Sequence, residues 1–290
     1  MAASGTLFIV ATPVGNLQDM TPRALEALSA APIVACEDTR RTRRLLQHFG
    51  IRPGRLISYH KFNERRQARV ILHALRRGED VALVSDGGTP GLSDPGALVI
   101  DEALEARLRV SPVPGASAAS AAFSVAGFPA AGFLFAGFLP VKGTPRREAL
   151  AALGDQPWPV VLFEAPHRIR KTADDLLAAL GDRKVTLLRE ATKMHEEVYR
   201  TTLGDLGRRL ADRAPRGEFT LVLDASPRAR SPVTAVTPAR LRQRYRQLVS
   251  QGVPRRQALK TLVQETGLPR AAVYSAVRVQ GEAHRSRNPT

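Results

Sequence analysis

VALVSDGGTPGLSDPG, residues 81–96, opens with a short apolar run and breaks on a turn rich in glycine and proline. An apolar run of four to eight residues bounded by such turn residues reads as a strand, placed here at 81–85. A helix is expected to follow, at 94–106. The same rhythm extends in both directions. Further strands are expected at 7–12, 33–37, 56–59, 108–112, 133–138, 160–164, 185–189 and 219–223, most of them rich in Val, Ile, Leu and Phe. Helices are expected between them at 21–30, 64–77, 117–126, 146–153, 169–180 and 206–213. The first of these opens on Thr21-Pro22, a capping residue followed by proline at the first helical position. The helix at 64–77 carries Val70, Ile71 and Leu75 and stops at Gly78. Strands alternating with helices define an α/β protein with largely parallel pairing.

The rhythm changes near Pro114-Gly115. Five strand–helix units precede that point, and the later strands suit a second sheet. The expected organisation is an N-terminal α/β domain at 1–117 and a second at 118–225. A ligand site between two such domains is the ordinary expectation. At residues 226–238 the composition turns to SPRARSPVTAVTP, which reads as a linker over 226–237. A helical domain then occupies 238–290. Its helices are expected at 238–250 (Leu241, Tyr245, Leu248, Val249), 254–265 (Ala258, Leu259, Leu262, Val263) and 269–279 (Ala272, Val273, Ala276, Val277). The short turn at 265–269 contains Gly267, giving the last two helices a helix-turn-helix pattern.

Composition narrows the function classes. Of 290 residues, 43% are hydrophobic and 24% charged, which is enough to build cores and excludes global disorder. Cys36 is the single cysteine, so no internal disulfide or cysteine-based zinc site can form, and a reducing compartment is expected. The apolar run at 6–11 is too short for a secretion signal, and no stretch approaches bilayer-spanning length. A cytoplasmic protein with no membrane partner is therefore expected. The net charge of +16 is unevenly spread. Residues 226–290 hold thirteen Arg or Lys against Glu265 and Glu282, a net +11. A basic segment this concentrated attracts polyanions, chiefly nucleic acid.

Four glycine- or proline-bearing turns stand at strand ends: residues 13–16, 86–91, 114–118 and 164–166. In open α/β sheets ligands bind beyond the carboxyl ends of strands. Glycine there lets backbone amides come close to a ligand. Thr89 and Ser117 add hydroxyls, and Ala116 and Ala118 leave room for a flat base. Neither a G-x-G-x-x-G nor a Walker loop is present. Polar clusters follow other strands: Glu37-Asp38-Thr39-Arg40, then His60 with Asn63-Glu64, then Arg189–Lys193 with His195-Glu196-Glu197. No two histidines lie four apart on a helix with a carboxylate, so no metal site is expected.

Eight segments together carry a family resemblance. They are ATPVGNLQDMTPRALE (11–26), ACEDTRRTRRLL (35–46), SYHKFNE (58–64), VALVSDGGTPGLSDPG (81–96), VPGASAASAA (113–122), FAGFLP (135–140), LFEAPHRI (162–169) and LREATKMHEE (188–197). In this order and spacing the chain resembles the bacterial small-subunit ribosomal RNA methyltransferase I family. These are 2′-O-ribose methyltransferases of the tetrapyrrole-methylase-like, class III group. The resemblance covers about residues 5–225 closely and extends to the C-terminal helices.

That resemblance implies two α/β domains of the tetrapyrrole methylase type, a homodimer, and S-adenosyl-L-methionine in the interdomain cleft. It implies a cytidine of 16S rRNA near the decoding centre as substrate, within the small ribosomal subunit. Matched residue by residue, Pro13 falls in the first loop. Thr89, Pro90, Gly91 and Leu92 fall in the cofactor turn, with Thr89 where relatives more often carry Asp. Ser117 and Ala118 fall beside the methionyl group, and Phe163, Glu164 and Ala165 near the adenosine. Phe219 and Thr220 fall on the strand that closes over the adenine. Candidates for activating the ribose hydroxyl are His60, Glu64, Glu190 and Lys193, with the Glu190–Lys193 cluster expected to line the cleft. A small-molecule (tetrapyrrole-like) or protein methyltransferase of the same fold is the alternative, as is a non-catalytic RNA-binding protein. The basic helical appendage favours RNA, since a small substrate needs no such platform.

Overall fold

The computed structural model describes residues 4–154, 156–211, 215–225, 238–266 and 270–278. They fall into two compact units, within Met1–Ser226 and within Pro227–Thr290.

The larger unit holds two five-stranded sheets. The first is built from β1 (Thr6–Val10), β2 (Ile33–Cys36), β3 (Arg55–Ser58), β4 (Val81–Val84) and β5 (Arg109–Val113). All its strands run parallel, in the order β3-β2-β4-β1-β5. Every residue of β2 and β4 is buried. The period-two alternation of a strand sorts them between the two faces. Val81 and Leu83 pack with α3 (Glu64–Arg76) and α4 (Ala97–Glu105). Ala82 and Val84 pack on the other face with α1 (Pro22–Ala30) and α2 (Thr39–His48). Thr21 caps α1 as its sequence suggests, accepting a hydrogen bond from the Ala24 amide at 3.2 Å. Helix α4 begins only at Ala97, three residues later than expected, because Gly96 stands at φ +151°.

The second sheet comprises β6 (Leu134–Phe138), β7 (Val160–Glu164), β8 (Lys184–Arg189), β9 (Glu197–Thr202) and β10 (Phe219–Leu223), in the order β6-β7-β10-β8-β9. Here the expectation of largely parallel pairing fails. Only β6 and β7 are parallel; β10 runs antiparallel to β7 and β8, and β9 antiparallel to β8. Strand β9 (EVYRTT) escapes sequence reading because it is a polar edge strand with no buried residue. One face of this sheet packs on α6 (Gly143–Ala152), α7 (Ile169–Leu180) and α8 (Leu203–Ala211). The other is covered by α5 (Ala118–Ala126), whose small Ala119, Ala122 and Ala126 sit against Val161, Leu188 and Val222. Helix α8 starts three residues earlier than expected; residues 212–213 of the expected span lie outside the described residues.

Beneath the second sheet lies a buried polar chain. The Arg146 guanidinium on α6 bonds Asp175 (2.8 Å), the Pro140 carbonyl (2.9 Å) and the Thr172 hydroxyl (2.9 Å). Thr172 in turn donates to Glu164 Oε2 at 2.6 Å.

The smaller unit contains α9 (Pro238–Ser250), α10 (Arg255–Thr266) and α11 (Arg270–Arg278). Leu241, Leu248, Ala258, Leu262 and Val273 form its core. Ala272, expected on the apolar face of the last helix, is exposed instead. Arg246, Arg255, Arg256, Lys260 and Arg270 are exposed. The linker at 226–237, residues 267–269 of the turn and residues 279–290 lie outside the described residues.

Thr172 supplies a test of the buried chain. Replacing it with Val keeps the volume but leaves Glu164 Oε2 without its donor, and should cost about 1–3 kcal/mol. Urea unfolding at neutral pH measures this; an unchanged midpoint would show that the bond contributes nothing.

Candidate functional site

A cavity of about 820 Å³ opens between the two sheets. Its floor comes from the loops leaving β1 and β4, neighbours at the middle of the first sheet. Thr12 and Gly88 form an antiparallel bridge, with N–H···O bonds of 2.9 and 2.8 Å in the two directions. The Thr12 hydroxyl donates to the Ser85 carbonyl (3.1 Å), and the Ser85 hydroxyl donates to the Gly88 carbonyl (3.2 Å). Gly88 stands at φ +94°, in the left-handed region that favours glycine. Thr89 Oγ1 donates to the Ala116 carbonyl at 3.2 Å, tying the β4 loop to the turn after β5.

The remaining walls come from the second sheet and from α2. Phe219 and Thr220 of β10 pair with Glu164 and Phe163 of β7, which places all four on one patch of wall. Phe163 meets Phe135 and Phe138 edge-on, with ring centroids 5.0 and 5.7 Å apart. The Glu164 side chain is fully buried. Its oxygens accept from the Ala165 amide (2.8 Å), Arg168 (3.2 Å) and Thr172, so the carboxylate is wholly engaged within the protein. The loop after β8 closes the rim. The Asn16 amide donates to Thr192 Oγ1 at 3.0 Å. A Cβ on Gly15 would lie 2.5 Å from Lys193 Cγ and 2.7 Å from the Ala191 carbonyl, so only glycine lets the loops meet.

Of the residues expected to hold the cofactor, Pro13, Thr89, Leu92, Ser117, Ala118, Phe163, Glu164, Ala165, Phe219 and Thr220 line this cavity. Pro90 and Gly91 are not among its lining residues. Of the catalytic candidates, Lys193 lines it, and Glu190, His60 and Glu64 do not. Lys193 Nζ lies 2.9 Å from Glu190 and 3.3 Å from Glu218. Partial burial opposes its charge, but these two carboxylates outweigh burial and raise its pKa above the ordinary lysine value. Glu190 is held below the usual carboxylate range by the bond from Lys193, against some desolvation, with the Glu218 amide adding to the effect. The ion pair with Lys193 therefore favours its charged form. His60 and Glu64 sit at the end of β3, where the His60 amide bonds Asn63 Oδ1 at 2.8 Å.

Sequence reading put Asp86 in a ligand-facing turn without giving it a role and missed Asp94 and Ser85, and with them Arg41, Arg44 and His48 of α2, all of which line the cavity. Helix α2 (TRRTRRLLQH) offers few apolar residues to read; its one signal is Asp38, whose Oδ1 accepts from the Arg40 and Arg41 amides at 2.7 and 3.3 Å. Arg41 then reaches Asp86 at 3.1 Å. The Asp94 pKa is pushed up to about 6, first by burial, then by the nearby Glu37 and Asp86, while a bond from Ser85 opposes the rise. Among the described residues, no group of His, Cys, Asp and Glu is arranged to hold a metal ion.

A parallel sheet facing a mixed one across a cavity floored by strand-end glycines defines a class. The pattern of the Tetrapyrrole (Corrin/Porphyrin) Methylases matches residues 6–207, and the chain belongs to that family. It is 43% identical to "Ribosomal RNA small subunit methyltransferase I" of Synechocystis sp. over 93% of this chain and 96% of that protein. It is 45% identical to the protein of the same name from Micromonospora olivasterospora, over 97% and 89% of the two chains. Within the family it falls among these methyltransferase I proteins, and it is an S-adenosylmethionine-dependent methyltransferase. The crystal structure of uroporphyrin-III C-methyltransferase from Thermus thermophilus, complexed with S-adenosylhomocysteine, shares the fold. It has a TM-score of 0.55 and 21% identity, over 76% of this chain and 97% of that one.

Asp94 gives a pH prediction with a definite sign. A carboxyl that binds its proton more tightly folded than unfolded loses stability as it ionises, here as pH rises from about 4 to about 6. Asp94→Asn removes that loss. Urea unfolding near pH 4 and near pH 7 should show the variant gaining on the parent at the higher pH; a constant gap would exclude the shift.

Proposed function

We propose that the chain methylates the 2′-oxygen of a cytidine in 16S rRNA, near the decoding centre, using S-adenosyl-L-methionine. The observation that carries this reading is the cavity itself, where all but two of the expected cofactor residues converge from both sheets. Its volume of about 820 Å³ suits a nucleoside-sized ligand. The fit is favourable in detail. Glycines at the floor let backbone approach a ligand, Ala118 leaves space for a flat base, and Phe163 and Phe219 offer aromatic wall. With the Thr89 hydroxyl given to Ala116, the cofactor turn presents a neutral surface where relatives more often carry Asp.

When bound, S-adenosylmethionine supplies an electrophilic methyl group. The chain's own residues must then position the ribose hydroxyl and manage its proton. Orientation alone can supply several kcal/mol of rate enhancement. In this reading Asp94, a cavity-lining carboxylate with raised proton affinity, accepts the proton. Lys193, held cationic by Glu190 and Glu218, stabilises negative charge developing on the oxygen. The organisation that goes with this reading is an α/β domain at 1–117, a second at 118–225, a linker at 226–237 and a basic helical domain at 238–290. The packing of α5 on the second sheet supports the first boundary. As the family resemblance implies, the protein acts in this reading as a cytoplasmic homodimer on the small subunit. Among the described residues, no helix is long and apolar enough to cross a membrane. The net +11 charge of residues 226–290 favours RNA over a small tetrapyrrole-like substrate.

Treating small-subunit RNA with the protein and mapping 2′-O-methyl marks by mass tests the reaction; no new mark would refute it. Lys193→Ala and Asp94→Asn should each lower methyl transfer by roughly 10²-fold. Cofactor affinity measured by calorimetry should change little, and wild-type transfer in either variant removes that residue's role. Deleting residues 227–290 should weaken RNA binding and flatten its salt dependence while leaving cofactor affinity intact; RNA affinity unchanged across a salt titration would overturn the role given to these helices.

A further inference from the structure

The β3–α3 loop carries His60 and leads into Glu64, two of the three catalytic candidates that do not line the cavity. Its construction points to another use. Asn63 Nδ2 donates to the Ser58 carbonyl (3.0 Å), and its Oδ1 accepts from the His60 amide (2.8 Å). His60 Nδ1 accepts from the Phe62 amide (3.3 Å). Tyr59 is buried, and its amide donates to the Cys36 carbonyl of β2 at 2.7 Å. A loop pinned in this way holds one side chain out into water: Phe62, 94% exposed. Exposed cations flank it in the chain and along α3, at Lys61, Arg65, Arg66 and Arg69.

The next strand end is also cationic. β2 pairs with β3, with Cys36 opposite Ser58, and beyond β2 the chain enters α2 with exposed Arg40, Arg41, Arg43 and Arg44. Among the described residues, only Arg41 of these eight cations has an ion-pair partner. β2 also neighbours β4, whose loop floors the cavity. At about 4.8 Å between strands, the stem of the Phe62 loop stands about 10 Å from that floor, with the arginine helix between.

We propose that this edge docks single-stranded RNA, with a base flanking the target stacked on Phe62 and the α2 arginines holding the backbone between that base and the cavity. A basic track with an aromatic platform is how proteins grip single strands, because every base has a face to stack. Charge complementarity selects the occupant. An exposed ring among cations of which only Arg41 is ion-paired suits a polyanion, whereas the same edge of a second copy would set these cations against one another. The proposal rests on RNA being the substrate.

The test uses the full-length protein and a fluorescein-labelled single-stranded RNA copying the mapped methylation region. Phe62→Ala should weaken binding about tenfold or more without changing the salt slope, and Phe62→Trp should retain affinity. Arg40→Ala should instead lower the slope of log affinity against log salt by about 0.7, one phosphate contact on a single strand. Cofactor affinity should stay at the parent value throughout. Parent-like binding by Phe62→Ala at every salt concentration overturns the platform while the RNA reading stands. A dimer-to-monomer shift of Phe62→Ala in sedimentation assigns the ring to a second copy and overturns it too. If the parent itself binds no RNA, the substrate reading falls, and this site falls with it.

Discussion

The Thr12–Gly88 bridge is the constraint on which the site depends. β1 and β4 are adjacent parallel strands, so their exit loops leave the same edge side by side. Left alone, two such loops would diverge into solvent. The paired backbone bonds, with the Thr12 and Ser85 hydroxyls folded back onto carbonyls, lock them into one floor. Pro13–Gly15 are then directed toward the second sheet, where Gly15 meets the loop after β8. Thr89 is directed toward the turn after β5. Three loops of the first sheet thus become one surface through short polar contacts that water is poorly placed to replace.

How much of this was legible depended on where each signal came from. The inner strands β1, β2 and β4 were readable because the sheet is covered on both faces there and each is a run of mostly apolar residues, while the edge strands β3 (RLIS) and β5 (RVSPV) are more polar. The second sheet misled, since its strands look alike in isolation while their direction follows from connections and packing. β9 has no apolar alternation to detect, and α2 spends four of its ten residues on arginine. In the site, the glycine-bearing turns were readable as strand ends. Asp94 was not, because it reads as an acidic helix start, and only the loop geometry carries it into the cavity. His60 and Glu64 stood as candidates behind the Glu190–Lys193 cluster because they too follow a strand end, but β3 lies at the sheet's edge and β1 and β4 at its middle.

Charge is layered around the cavity. Asp86 adds to the raised proton affinity of both Asp94 and Glu37, Glu37 adds to that of Asp94, and Arg41 reaches in to pair with Asp86. Across the cavity, Lys193 is balanced by two glutamates. Inside, Arg41 and Lys193 thus each have a carboxylate partner, so the field around them is local and orienting. On the α2 edge and on the C-terminal helices cations predominate without such balance, which suits capture of a polyanion at longer range.

The seam at Asn16 and Thr192 has a thermodynamic consequence. Lining groups come from loops on both sheets, so any molecule filling the cavity touches both halves at once. Its binding energy is then shared with the seam, and occupancy ties the halves into one melting unit by mass action. A ligand at 100 times its dissociation constant would add about 2.7 kcal/mol to that joint stability. The cofactor of such a cleft is a structural mortar as well as a reagent, and the loaded protein is the more cooperative solid.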